Sequence, residues 1–196
     1  MTKGDDTRAA ILDEAIDIAS QVGFEALTIG KLAERTSMSK SGLFAHFKSK
    51  EQLQLQTLER GRERFIDVVV RPALSTPRGE RRARALFDGW LSWLETSLPG
   101  GCIFMAVAAE VDDCPGPLRD AVVRHEQDLM EMITTVARTA VSEGEWRNDL
   151  DIDQFGFEMH GILLAHHHAY RLMHDRQASA RTRRAFDSLV ARSRAT

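Results

Sequence analysis

Between Thr28 and Leu53 the chain runs Thr-Ile-Gly-Lys-Leu-Ala-Glu-Arg-Thr-Ser-Met-Ser-Lys-Ser-Gly-Leu-Phe-Ala-His-Phe-Lys-Ser-Lys-Glu-Gln-Leu. No other stretch restricts the fold as tightly. Thr28 precedes the apolar set Ile29, Leu32 and Ala33, and Ser39 precedes Leu43 and Phe47. A hydroxyl in that place accepts a hydrogen bond from a free amide of the first helical turn. The pattern predicts two helices of about two turns each, too short to persist in water unless docked on a neighbour. Lys31, Arg35, Lys40, Ser41, His46, Lys48 and Lys50 fall outside the apolar stripes. A docked short rod with cations on its free face is the shape that enters a DNA major groove.

The segment resembles the DNA-binding helix-turn-helix of the TetR family of bacterial transcription regulators. The likeness rests on Thr28, Ser39-Lys40, Phe44, His46-Phe47 and Lys50, and covers roughly the first quarter of the chain. It implies phosphate contacts from Thr28, Ser39, His46 and Lys50, with Lys40, Ser41 and Gly42 at the groove-facing start of the second short helix. There a lysine can donate to guanine O6 or N7, a serine to several bases, and a glycine admits close approach. Two positions depart from the pattern. Phe44 stands where the family usually has a tyrosine, so its contact reduces to packing. Gly30 stands where some members carry a base-reading arginine, which places specificity on the second short helix.

Charge supports a confined site. The net charge is −3, which argues against a protein that coats nucleic acid. Within residues 28–50, five cations (Lys31, Arg35, Lys40, Lys48, Lys50) against Glu34 give a local +4. A small basic patch on an otherwise acidic chain fits a site-specific reader. The 196 residues are enough to bury about 70% of the unfolded surface, so no metal or disulfide staple is required. Cys102 and Cys114 are too few for a disulfide framework and fit a reducing compartment. With no signal-peptide pattern and no apolar run of about 20 residues, the expectation is a cytoplasmic protein that does not engage a membrane.

Apolar periodicity predicts an all-α fold, and the resemblance implies about nine helices, with an N-terminal three-helix DNA-binding unit over 1–52 and a larger body over 53–196. The first helix should bury Ile11, Leu12, Ala15, Ile18, Ala19 and Val22 and stop at Gly23. Ser49…Gln52 and Asp151…Gln154 read as capping boxes. The helix opened by Ser49 should end before Pro72, and further helices should cover 78–98, 103–112, 117–143, 151–174 and 179–191. The resemblance implies that the last two form a four-helix bundle across a homodimer. It also implies a small-molecule effector cavity among the fifth to eighth helices.

Aromatic and methionine side chains are concentrated in that body, and such residues line adaptable apolar pockets as well as cores. The candidate ligand wall comprises Trp90, Trp93, Phe104, Met105, Met130, Ile133, Met159, Leu163 and His167, with Glu95, Glu110, His125 and Glu126 able to orient a ligand. His160, His167 and His174 recur every seven residues. That spacing puts them about 10 Å apart along a helix, too far to share one ion. A half-polar stripe at a dimer seam is therefore expected over a pocket wall, and either over a metal site. Arg81-Arg82, Arg84, Arg181 and Arg183-Arg184 read as solvated faces. No phosphate loop, nucleophile elbow or ligand pair at helical spacing supports an enzyme. No cofactor is expected. The competing readings are a histidine-rich helical metalloprotein and a DNA-binding regulator governed by a protein partner.

Overall fold

The computed structural model describes residues 3–195. Its helices are α1 (Lys3–Val22), α2 (Ile29–Thr36), α3 (Lys40–His46), α4 (Lys50–Phe65), α5 (Arg71–Ser75), α6 (Glu80–Ser92), α7 (Ile103–Val111), α8 (Pro117–Ser142), α9 (Ile152–His167) and α10 (Ala178–Ser193). Three π-helical turns, Ile66–Val70, Trp93–Ser97 and His168–Leu172, join α4 to α5 and extend α6 and α9. With α4 and α5 taken as one rod, the described residues hold nine continuous helices, the expected number. The one β-type pairing among them is an isolated bridge between Trp146 and Arg194.

Pro72 does not end the fourth helix, contrary to expectation. Proline lacks an amide and its ring collides with the carbonyl four residues back. The wide turn at Ile66–Val70 releases the regular ladder just before it, and Pro72 then enters α5 in its first turn, where no donor is needed. In α1 the buried set is Ile11, Leu12, Ala15, Ile16 and Ala19. Ile16 replaces Ile18 and Val22 in the expected stripe, and Val22 is exposed beside the chain reversal at Gly23, whose φ is 82°.

Contacts divide the chain into two compact units. The first is the chain through Phe65 together with Thr96–His125; the second is Ile66–Glu95 with Glu126 onward. Within the first unit α4 packs on α1: Arg60 Nε and Nη2 donate to Asp13 at 2.9 and 3.0 Å, and Arg8 Nη2 to Gln56 at 2.6 Å. Its core includes Phe24, Leu27, Leu32, Leu43, Phe47 and Leu53, all fully buried. The second unit is built on Trp90, Trp93, Trp146, Phe155, Leu163 and Val190. There the Phe87 and Phe186 rings stack 3.8 Å apart.

Candidate DNA-binding interface

Local chemistry sets the two short helices. Thr28 sits in extended backbone and its Oγ1 accepts from the Lys31 amide at 3.2 Å. Ser39 Oγ accepts from the Gly42 amide at 3.1 Å and opens α3. Between them Ser37 takes the left-handed conformation, φ 55°, which reverses the chain. Leu43 and Phe47 face inward without exposure, and Arg8 lies 5.5 Å from the centre of the Phe47 ring. The next helix opens with Ser49 Oγ accepting from Gln52 N at 3.0 Å. The glutamine returns the bond to Lys48 N at 2.9 Å, one residue further back than a reciprocal box.

None of the eight candidate residues Thr28, Ser39, Lys40, Ser41, Gly42, Phe44, His46 and Lys50 is buried, and Phe44 is 52% exposed. Gly42 has a structural reason that the sequence did not show. A Cβ there would lie 3.2 Å from Ser39 Oγ and crowd the cap. The Lys40 ammonium lies over the start of α2, 3.9 Å from where a Gly30 Cβ would be. A longer residue at position 30 would share that space.

Lys50 is already engaged. Its Nζ donates to the Glu25 carbonyl and to Glu25 Oε1, both at 2.7 Å. The turn carrying Glu25 is itself fastened from two other helices. Glu110 on α7 accepts from Phe24 N at 3.0 Å and from Glu25 N at 2.8 Å. From α4, Gln54 Nε2 donates to the Phe24 carbonyl at 2.6 Å. Glu110 had been a candidate ligand-orienting residue; here its carboxylate caps a turn. The signal available in sequence was only Gly23-Phe24, a glycine stop before an aromatic.

The other ligand candidates belong to both units. In the first, Phe104 stacks on His125 at 3.9 Å and meets Phe65 edge-on at 6.1 Å, while Met105 is half-buried. In the second, Trp90, Trp93, Ile133, Met159 and Leu163 are buried, and Met130 and His167 are half-buried. Met130 and Ile133 pack over Gly156 of α9, where a Cβ would come within 3.2 Å of Met130 Cε. Glu126 Oε2 lies 3.6 Å from His160 Nε2, and the Trp90 ring lies 5.8 Å from that imidazole. Burial raises the Glu126 carboxyl and lowers His160, so both favour their neutral forms. A separate pocket of about 270 Å³ between α9 and α10 is lined by Ile162, Ala165, His166, Arg181 and Thr182, among others, and by none of the nine candidates.

The histidine stripe is broken. The α-helix ends at His167, a wide turn follows, and His174 lies beyond it with φ 50°. The buried histidine of α9 is instead His166. Its Nδ1 meets Thr182 Oγ1 at 3.0 Å and its Nε2 lies 3.4 Å from Glu95 Oε1, while Glu95 Oε1 also accepts from Ser179 at 2.6 Å. Burial holds His166 and His167 below the usual imidazole range, with Arg171 adding to the effect at His167. Among the described residues, no three His, Cys, Asp or Glu side chains are placed to hold a metal ion. Cys102 is buried and Cys114 exposed, and neither is in a disulfide.

The arginine runs are not merely solvated. Arg84 joins Glu80 at 2.8 Å and Asp187 at 2.7 Å, Arg82 donates to the Thr76 carbonyl at 2.7 Å, and Arg183 and Arg181 pair with Asp88 and Asp175. Arg194 Nε and Nη2 grip Glu80 at 2.8 and 2.7 Å, and Trp146 Nε1 donates to the same carboxylate at 3.3 Å. The Arg194 bonds, then Arg84 and Trp146, outweigh burial and hold Glu80 down at about 2. Gln154 departs from its expected box: Asp151 Oδ1 accepts its amide at 2.9 Å, but its side chain turns forward to Glu158 at 3.1 Å.

Two capped short helices, a buried inner face and an exposed cationic outer face define the helix-turn-helix class of DNA-binding proteins. Comparison with known proteins narrows this further. The family description "Bacterial regulatory proteins, tetR family" matches residues 11–57, and "Tetracyclin repressor-like, C-terminal domain" matches 79–186. The chain belongs to the TetR family of transcription regulators. It is 32% identical over 155 residues to the transcriptional regulator TcmR of Streptomyces glaucescens, a match spanning 75% of this chain and 63% of TcmR. It is 27% identical over 96 residues to the transcriptional activator FasR of Mycolicibacterium smegmatis, spanning 49% of this chain and 44% of FasR. The matches thus cover less than two thirds of either curated relative. A TetR regulator from Chloroflexus aurantiacus superposes with a TM-score of 0.86 at 25% identity, over 97% of this chain and 96% of that one.

Proposed function

We propose that the protein is a homodimeric, effector-responsive repressor that lays α3 in the major groove of a palindromic operator. One observation carries the reading. Ser39 caps a two-turn helix whose Leu43 and Phe47 are sunk in the core while Lys40, Ser41 and Phe44 stand outside. In this reading Thr28, Ser39, His46 and Lys50 meet phosphates, and Lys40, Ser41 and Gly42 meet base edges. Position and sequence preference are then separable by mutation.

The reading gives residues 1–52 the DNA contacts and 53–196 effector binding and dimerisation. Support for the dimer comes from α9 and its wide turn, where Phe157, Leu172 and Met173 are 70, 69 and 66% exposed. Leu164 is also exposed, and the space around Gly161 is open. An apolar face of that kind is what a second copy would cover. The Glu126–His160 pair beside Trp90 supplies a polar pole for an otherwise apolar effector. Two heads must reach half-sites about 34 Å apart. An effector favouring a dimer of the wrong span by ~100-fold can lower operator affinity by up to ~100-fold. Repression is the direction assigned, although FasR carries an activator's name. No helix among the described residues is long and apolar enough to cross a membrane, and the reading places the protein in the cytoplasm beside its operator.

Selection from a random duplex pool tests the reading. A palindrome should emerge, and Lys40→Ala should relax preference at one position in each half-site. Selection of no sequence would overturn the reading.

A further inference from the structure

We propose that Glu110 on α7 is a positioning residue for DNA binding, acting through the turn at Phe24-Glu25 to fix the ammonium of Lys50 against a phosphate. The inference rests on Lys50 meeting a phosphate, as assigned above. Glu110 binds both turn amides with one carboxylate, at 3.0 and 2.8 Å, and amide bonds to a carboxylate are stronger than neutral ones. The adjoining glycine is shaped to the same group: a Cβ at Gly23 would lie 2.2 Å from Glu110 Oε1. Gln54 holds the Phe24 carbonyl from the other side. The peptide between Phe24 and Glu25 is therefore pinned at its oxygen by α4 and at its nitrogen by α7.

What that pinned turn offers Lys50 is a fixed acceptor. An ammonium has three N–H donors. One goes to the Glu25 carbonyl and one to the Glu25 carboxylate, which leaves the third for a phosphate. The Glu25 side chain is 86% exposed, so it can swing into water when a phosphate arrives. The carbonyl stays, and being uncharged it orients the lysine without repelling the duplex. Displacing α7 withdraws the two amide bonds that fix the turn carrying this carbonyl, so the position of α7 sets the strength of a contact made by α4. A second strap, Ser20 Oγ accepting from Gly100 N at 3.0 Å, holds α1 near the same turn without touching Lys50 or Glu25.

The test is a double-mutant cycle on the full-length protein, using the palindrome selected by wild type. Glu110→Ala should weaken binding about tenfold, the size of a coupling within one hydrogen-bond network. It should also flatten the salt dependence by up to about 2 in log–log slope, one phosphate per subunit of a dimer. In a Lys50→Ala background the same change should cost less than about twofold, since its target is gone. Glu110→Gln, which keeps one amide acceptor, should give an intermediate loss with the same dependence on Lys50, and it carries the cycle if the alanine variant fails to fold. Ser20→Ala should lower the melting temperature and leave the salt slope unchanged. Equal losses with and without Lys50, no loss at all, or a slope change in Ser20→Ala would each overturn the assignment. Wild type that selects no DNA would instead overturn the DNA reading, and this assignment with it.

Discussion

The two compact units are held together by different chemistry. In the first, caps set the short helices and their turn: Thr28, Ser39, Ser49 and Glu110 each accept from backbone amides within or beside a turn, while Arg60–Asp13 and Arg35–Glu14 tie α4 and α2 to α1. In the second, the joints are guanidinium–carboxylate ties between residues far apart in sequence, centred on Glu80 with Arg84 and Arg194 and continued by Arg192–Glu158. A hydroxyl cap saturates an amide that has no other partner and, being neutral, is nearly indifferent to salt. An ion network depends on charge state and ionic strength. The reading head of such a regulator must sit beside a polyanion in a dense ion atmosphere. Capping the two short helices with the hydroxyls of Thr28 and Ser39 keeps those ends nearly independent of the charges the head neutralises.

The largest effect that would separate the units comes from Gly100. A Cβ there would fall 1.7 Å from the Ser20 carbonyl oxygen, which is backbone and cannot turn aside. Gly100→Ala should cost about 3 kcal/mol or more, as overpacking against fixed atoms does, and the loss should be confined to the first unit. All three tryptophans lie in the second. Backbone circular dichroism should therefore show an early transition that tryptophan emission does not follow. Coincident melting of both signals would show that the units do not unfold separately.

Glu80→Gln should act on the second unit alone. The folded carboxyl is held at about 2, against an ordinary 4.5. Its stabilisation is therefore complete above about pH 4.5 and lost as the pH falls toward 2. At pH 7 the substitution should cost on the order of 2 kcal/mol, discounted from the full shift because the site's rim faces water. Urea melts followed by tryptophan emission should show the gap closing between pH 5 and pH 2.5, with a smaller gap in 1 M salt. A pH-independent gap would mean that shape, not charge, is what Glu80 supplies.

Thr28→Ala and Ser39→Ala should each cost about 1 kcal/mol, with no dependence on salt between 0.05 and 0.5 M. Any marked salt effect would erase the contrast drawn above.

The same contrast explains what could be read from the chain. Caps are local, so Thr28, Ser39 and Ser49 announce their helices within three residues. The glutamines of the two boxes were misjudged because a flexible amide chooses among nearby partners: Gln52 reached Lys48, and Gln154 reached Glu158. The arginine runs looked like solvated faces because Asp187, Asp88 and Glu80 are joined to them only by folding. Glu110 sits 85 residues from one of the amides it caps, a separation at which no periodicity helps. Trp146 drew no notice in the sequence, yet it is fully buried with its indole on Glu80. The histidine heptad loses His174 for another reason: equal spacing implies a common face only while the helical pitch is constant, and His168–Leu172 changes it after His160 and His167.

Those wide turns have a consequence for descent. Each holds one residue more than a regular turn would, an insertion absorbed without breaking the rod. Excising a single residue from such a turn rotates the helical residues that follow it by roughly 100° about the helix axis. Between homologues, single-residue gaps should therefore gather at 66–70, 93–97 and 168–172.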